Sequence, residues 1–408
     1  MESGHANRPI RVYKFRWYMV TVASFLHISQ MLLFLAYSPV ANFIDRFYGK
    51  NTTNTLSIVF LAASLCAGPG AMLFSRRFGL RAVLFVGVLT TSIGSSFKLM
   101  SNIPQLNERS RLAFVIVGQA IGSLGNPFAL FLPTKVAAAW FPNSQRALCT
   151  SIIAVSSPVG ILLINLIAPR IVHSENHVLQ LNITTFIPTA ICAAITLIGV
   201  RNSSPPTPPS ESAAKETLTF TEGLKKGLKS RSFWILVLCI GGGLGLFNAL
   251  YTMMEQIMCP MGYSNEFGGI CVALLISGGL FGAVMAGILA DKTKKFELIL
   301  KVSLSLSTLS GIVFSLFSIS AECTYPVTET TTAGFIGMSG QLQGIVYIAL
   351  MNKLAKPIHR NEFMWGVQSC TSDDTDETIA PGADCNILLG RNNAFDLQIL
   401  ASRILLQL

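Results

Sequence analysis

Long apolar runs alternate with short polar breaks along almost the whole chain. An α-helix needs a run of about 20 apolar residues to cross a bilayer. Ten such runs are legible, at roughly 17–43, 54–75, 80–100, 112–139, 147–168, 183–200, 232–257, 267–290, 298–319 and 333–352. All are expected to be helices, because a backbone in lipid must satisfy its own hydrogen bonds. The longest polar break, Arg201 to Ser232, follows the sixth run. The expected order is an N-terminal segment (1–16), a six-helix half (17–200), a linker (201–231), a shorter second half (232–354) and an irregular tail (355–408). SSPPTPPS, within the break, is a Pro/Ser linker with no means of packing. Beyond it Phe220, Leu224 and Leu228 recur every four residues with lysines opposite, which fits either a surface helix on the membrane or a solvated basic loop.

Composition agrees with the pattern. Hydrophobic residues make up 51% of the 408, and only 12% are charged. Soluble domains carry about a quarter charged residues, so the fold class is all-α and polytopic in a membrane. The net charge of +10 does not mark a nucleic-acid protein, because the basic residues fall in short loops. Arg8, Arg11, Lys14 and Arg16 precede the first run, and Arg76, Arg77 and Arg81 lie between the second and third. Arg146 follows the fourth, the linker is rich in lysine, and Lys292, Lys294 and Lys295 follow the eighth. The alternate loops hold only Arg46, Lys50, Arg109, Arg111 and Arg170. The N-terminus is therefore expected to be cytoplasmic, with the first run a signal-anchor, and nothing distinguishes the plasma membrane from an internal one. Sequons at Asn51 and Asn182 fall on the expected outer face, and the one at Asn202 on the inner face. Cys66, Cys149, Cys192, Cys239 and Cys271 lie in apolar runs and are expected in the core, with Cys259 and Cys271 as the one pair placed to bridge a loop.

Two corners repeat. Phe141-Pro142 and Tyr325-Pro326 each precede a turn and a span, and Gly160 and Gly344 each follow 18 residues later. GILADKTKK, Gly287 to Lys295, fits the pattern Gly-x-x-x-Asp-Arg/Lys, and its first-half partner is AMLFSRRFGLR, Ala71 to Arg81. A carboxylate beside a helix end and clustered cations can lock two helices in one state and release them in another. Asp291 and Lys292 keep that pattern, whereas Arg76 occupies the acidic position of the first copy. Arg76, Arg77, Arg81, Asp291 and Lys292 are thus the candidate gating residues. With AYSPVANFIDRFYG, LPTKVAAAWFPNSQRA, EQIMC and ECTYPVTETTTAG, these features resemble solute carrier family 49, the feline leukaemia virus subgroup C receptor-related transporters. The resemblance runs from about Phe15 to Leu354. It implies a major facilitator fold, a monomer in the lipid bilayer with no resident cofactor, and alternating access for a small organic solute.

Measured against that family the chain is short. Arg76 to Pro142 is 66 residues and holds two spans, whereas Asp291 to Pro326 is 35 and holds one. The deficit equals about one span and a turn at 1.5 Å per residue. The expectation is therefore about ten spans instead of twelve, lacking the tenth and the twelfth, and an inactive or regulatory variant is the alternative to a transporter. The tail from His359 has no apolar run and carries Asp373, Asp374, Asp376 and Glu377, so it is expected without fixed structure.

Substrates of such folds bind near the midplane. His27, Gln30, Phe34 and Tyr37 recur at 3, 4 and 3 residues, which predicts one face of the first helix. Asn126, Asn248, Tyr251, Glu255 and Gln341 are the other polar or aromatic candidates inside runs. Each has a plainer reading, since amides often join helices. Glu255 either serves as a proton or cation site or is wetted at the outer end of its span. Lys135 is expected to snorkel towards phosphates. By resemblance the family moves haem or choline, so the solute is an organic cation or haem. The family's choline cage places its Trp at Phe34, its Tyr at Asn248 and its glutamines at Gln341 and Pro158, so only Gln341 matches. Haem lacks an evident axial pair, with His27 the sole candidate. No hydrolase elbow or phosphate loop occurs, which argues against an enzyme and an ATP-driven pump.

Overall fold

A computed structural model describes residues 12–207, 229, 231–258, 264–293, 338 and 341–346, and two residue pairs in the tail. The expected ninth span, the Tyr325-Pro326 corner, the second part of the linker and most of the tail lie outside the described residues, as does all of the tenth span except 338 and 341–346. The helices are α1 (Arg16–Leu35), α2 (Ala41–Tyr48), α3 (Thr52–Met100), α4 (Glu108–Ser123), α5 (Asn126–Trp140), α6 (Arg146–Ile171), α7 (Val178–Gly199), α8 (Arg231–Met258) and α9 (Asn265–Thr293). Within the tail, Lys356–Pro357 pairs antiparallel with Asn386–Ile387. Among the described residues, six helical stretches are long and apolar enough to cross a membrane.

Several expected spans are divided, each for a local reason. The run 17–43 stops at Leu35, turns through a short 3-10 segment, Ser38–Val40, and resumes as α2. Pro39 causes this, since it lacks an N–H and its ring crowds the carbonyl four residues back. Gly49 ends α2, and the Asp45 carboxylate accepts from the backbone N–H of Asn51 (3.1 Å) and Thr53 (2.8 Å), tying α2 to the start of α3. The expected span 112–139 is two helices, because the chain breaks at Leu124–Gly125 ahead of Pro127. Conversely, the runs 54–75 and 80–100 form one 49-residue element, α3. At 1.5 Å per residue it is far longer than a bilayer is thick. Gly79 divides it, with φ of 75°, a region that disfavours any side chain. The hydroxyl of Ser203 accepts from the Arg81 backbone N–H at 3.1 Å and so caps the second limb.

Two clusters form the interior. One is built from the first half, with Met338 of the second half packed against it, and includes Met19, Leu26, Leu84, Phe131, Trp140, Phe141 and Ile153. The other joins both halves and includes Phe34, Tyr37, Ile44, Phe60, Val172, Phe247, Tyr251 and Ile276. Lipid is as apolar as leucine, so close packing has to hold the helices together. The crossing of α3 with α4 shows how. A Cβ on Gly94 would fall 2.5 Å from the Gly118 carbonyl oxygen and from Gly122 Cα, so only glycine lets these backbones meet. Large apolar side chains point outward, among them Ile198, Leu274 and Phe281, as suits a lipid surface.

Two sequence expectations are overturned here. Cys149 and Cys192 are buried as expected, but Cys66 is exposed on α3. Asn182 is not an outer-face acceptor. It is buried, donates to the Lys98 carbonyl (3.1 Å) and accepts from the Tyr37 hydroxyl (2.7 Å).

Candidate functional site

Phe60, Ser64 and Gly68 recur every four residues along α3 and so form one stripe. That stripe faces the second half of the chain. Phe60 stacks on Phe34 of α1, with centroids 4.2 Å apart and planes at 16°. Tyr251 of α8 meets Phe34 edge-on at 6.4 Å, and Phe247 meets Tyr251 edge-on at 4.9 Å. One turn along, Ser64 Oγ accepts from Asn126 Nδ2 and from Gln341 Nε2, each at 2.9 Å. Met338 lies against Gly68. The Tyr251 hydroxyl donates to Asn248 Oδ1, and Gly344 packs beside Asn248. The Gln341 side-chain oxygen is buried without a partner among the described residues. Aromatic faces thus adjoin a band of amides where the halves meet. Such a surface attracts cations through the rings and orients polar groups through the amides.

The expected candidates therefore divide. Phe34, Asn126, Asn248, Tyr251 and Gln341 are brought together. His27, Gln30 and Tyr37 are not. Both ring nitrogens of His27 are engaged, by Ser157 Oγ at 2.6 Å and the Ala129 carbonyl at 2.8 Å. Gln30 donates to Thr91 and to the Gly122 carbonyl. Tyr37 lies beyond the end of α1 and bonds Asn182. The reason is geometric. Gln30 is turned about 60° from His27, and His27, although it shares Phe34's bearing, lies two turns back along α1, where Ser157 and Ala129 enclose it.

Three residues escape the sequence reading. Phe60 and Ser64 look like ordinary members of an apolar run, and only their spacing with Gly68 distinguishes them. Lys98 closes the third run and reads as an interfacial lysine. It is instead buried, with Nζ donating to the Leu33 carbonyl at 2.7 Å and sitting 4.4 Å from the Tyr37 ring centroid. Leu33 lies in the last turn of α1, where free carbonyls carry partial negative charge, so Lys98 caps the helix at its break.

At the end of the bundle holding α2, the halves are latched. Asn54 and Gln256 exchange two amide bonds, of 3.0 and 2.9 Å, and Asn265 donates to Asn42 at 2.9 Å. Glu255 lies beneath this latch and is buried, not wetted. At the other end Arg76, Arg77 and Arg81 are exposed around Gly79. Lys135 does not reach outward, as snorkelling would require. Its Nζ donates to the Ser75 carbonyl, joining α5 to α3. Asp291 and Lys292 fall in the last turn of α9, and their side chains lie outside the described residues.

Comparison with known proteins places this architecture. The model of the Major Facilitator Superfamily matches residues 19–372. The D-xylose-proton symporter has the same fold, with a TM-score of 0.62 at 14% identity, covering 84% of this chain and 91% of that one. The chain is therefore a multi-pass membrane protein of the major facilitator transporter class. Solute carrier family 49 member A3 of Xenopus tropicalis is 34% identical over 382 residues, covering 85% of this chain and 79% of the relative. The choline/ethanolamine transporter FLVCR2 of Rattus norvegicus is 24% identical, covering 83% and 69%. The chain belongs to solute carrier family 49.

Proposed function

We propose that this chain moves a small organic cation across a membrane by alternating access, binding it at the seam between Phe34, Phe60 and Tyr251. The observation that carries the reading is the Phe34–Phe60 stack with Tyr251 at its edge, beside the Asn126–Ser64–Gln341 amide band. In this conformation the rings face each other. A cation entering between them splits a stack worth about 0.5–1.5 kcal/mol. It gains up to about 2 kcal/mol at each desolvated ring face. Gln341 then turns its free carbonyl oxygen to a hydroxyl or ammonium N–H. The choline and ethanolamine named for the FLVCR2 relative fit this chemistry. Haem fits poorly, since His27 has no free nitrogen for iron. Among the described residues the seam holds aromatic rings and amides, which suit binding and release of a solute. The loop charges support a cytoplasmic N-terminus, which puts the latched α2 end outside.

Radiolabelled choline and ethanolamine uptake into liposomes holding the purified chain tests this. Saturable uptake, with KM raised or rate cut at least tenfold by Phe34→Leu without loss of monodispersity, is the expected result. Uptake indistinguishable from empty liposomes for both solutes would sink it.

A further inference from the structure

We propose that Glu255 is a proton-binding site that controls the latch, so that the α2 end closes only when this carboxyl group is protonated. This rests on the alternating-access reading, of which it adds the control. Glu255 is 5% exposed, and its Oε1 has no hydrogen-bond partner among the described residues. The neighbouring groups are specific. The Asn42 backbone N–H donates to the carboxyl group, and the charged side chain that acts on it among the described residues is Asp45 of α2, which has the same sign. Asp45 is itself engaged, its oxygens accepting from the Asn51 N–H, the Thr53 N–H and the Thr53 hydroxyl.

Two packed elements carry a cation, α2 with the exposed Arg46 and the tail pair with Lys356, whose partner strand Asn386–Ile387 packs on α8; among the described residues neither acts on Glu255. The Ser38–Val40 turn carries no charge, and the start of α3 brings the amide of Asn54. The start of α9 brings Asn265 and the exposed Glu266. One turn back on α8, Thr252 Oγ1 is also buried without a partner among the described residues. An ionised carboxylate enclosed here meets like charge and no counter-ion, which is costly inside a membrane. Once protonated it is neutral, and the amide latch closes over it. When the latch opens, water reaches Glu255 and the proton leaves to the bulk. Closing thus takes up one proton and opening releases it. A metal ion is a poorer occupant, because the Asn42 N–H donates to the carboxyl group and the Asp45 oxygens are already held by Asn51 and Thr53.

The full chain in lipid nanodiscs, with nitroxides at positions 50 and 266, reports the separation of the two halves at this end. Both positions are exposed, on opposite sides of the latch. The short-distance population is expected to dominate at acid pH and to fall as pH rises. One linked proton changes the closed-to-open ratio by up to about tenfold per pH unit. Glu255→Gln is expected to stay closed across the range. A wild-type distance indifferent to pH overturns the proposal, as does a pH response surviving in Glu255→Gln, or closure by sodium at fixed pH. Should Glu255→Gln fail to fold, the wild-type titration alone decides. A chain that moves no choline but titrates this way loses the substrate reading and keeps the proton site.

Discussion

Ser64 makes the sharpest test of the seam. It is fully buried and accepts two amide bonds, one from its own half through Asn126 and one from the other half through Gln341. Ser64→Ala strands both donors. A neutral hydrogen bond contributes about 0.5–1.5 kcal/mol net, and side-chain bonds between membrane helices average about 0.6 kcal/mol. The substitution should therefore cost about 1–3 kcal/mol, of which the Gln341 share is about half. That share is isolated by a double-mutant cycle of Ser64→Ala with Gln341→Leu, read by equilibrium unfolding in mixed detergent–SDS micelles. A coupling of about 0.6–1.5 kcal/mol is expected, with a similar value for Ser64→Ala with Asn126→Leu. Breaking only the cross-half bond should also shift the balance of conformations, by about threefold to tenfold at 1.4 kcal/mol per decade. If both cycles add within about 0.3 kcal/mol, Ser64 is not the shared acceptor and the band is no band.

Gly79→Ala should lower thermal stability, since the backbone there has φ of 75° and the new Cβ would lie 3.1 Å from Ser203 Oγ, a strain of about 1–2 kcal/mol. Ser203→Ala should cost about 1 kcal/mol as a lost cap, and an unchanged melt in both would refute this account of the joint. In a eukaryotic host, a glycosidase-sensitive mass shift should vanish in Asn51→Gln and persist in Asn182→Gln, because Asn182 is enclosed by Tyr37 and Lys98; the reverse pattern would show that the buried position is wrong.

The sequence marked membrane spans well and the contents of the seam less well, for one physical reason. In water, an apolar stripe marks the inward face of a helix. In lipid both faces are apolar, so periodicity no longer distinguishes the interior. Asn126, Tyr251 and Gln341 could be picked out because they are polar or aromatic in apolar surroundings. Phe60 could not, since phenylalanine suits lipid as well as a binding site. Ser64 was hidden for a related reason, because a serine in a span often bonds its own helix, as Ser57 does to the Thr53 carbonyl. The divided spans were foreshadowed by Pro39 and Pro127, but proline alone does not break a helix here. Pro69, Pro158 and Pro188 all lie inside helices. Lys98 drew no notice in the sequence because an interfacial lysine and a lysine capping a broken neighbour look identical until the break in α1 is known.

The single-residue joint at Gly79 also bears on how this protein is made and handled. With no loop between them, the two limbs of α3 must enter the membrane together as a hairpin, and the second cannot wait for the first to settle. An epitope, protease site or fluorescent tag inserted there would have no slack to occupy. Residues 101–107, between α3 and α4, offer a turn in which such an insertion has room.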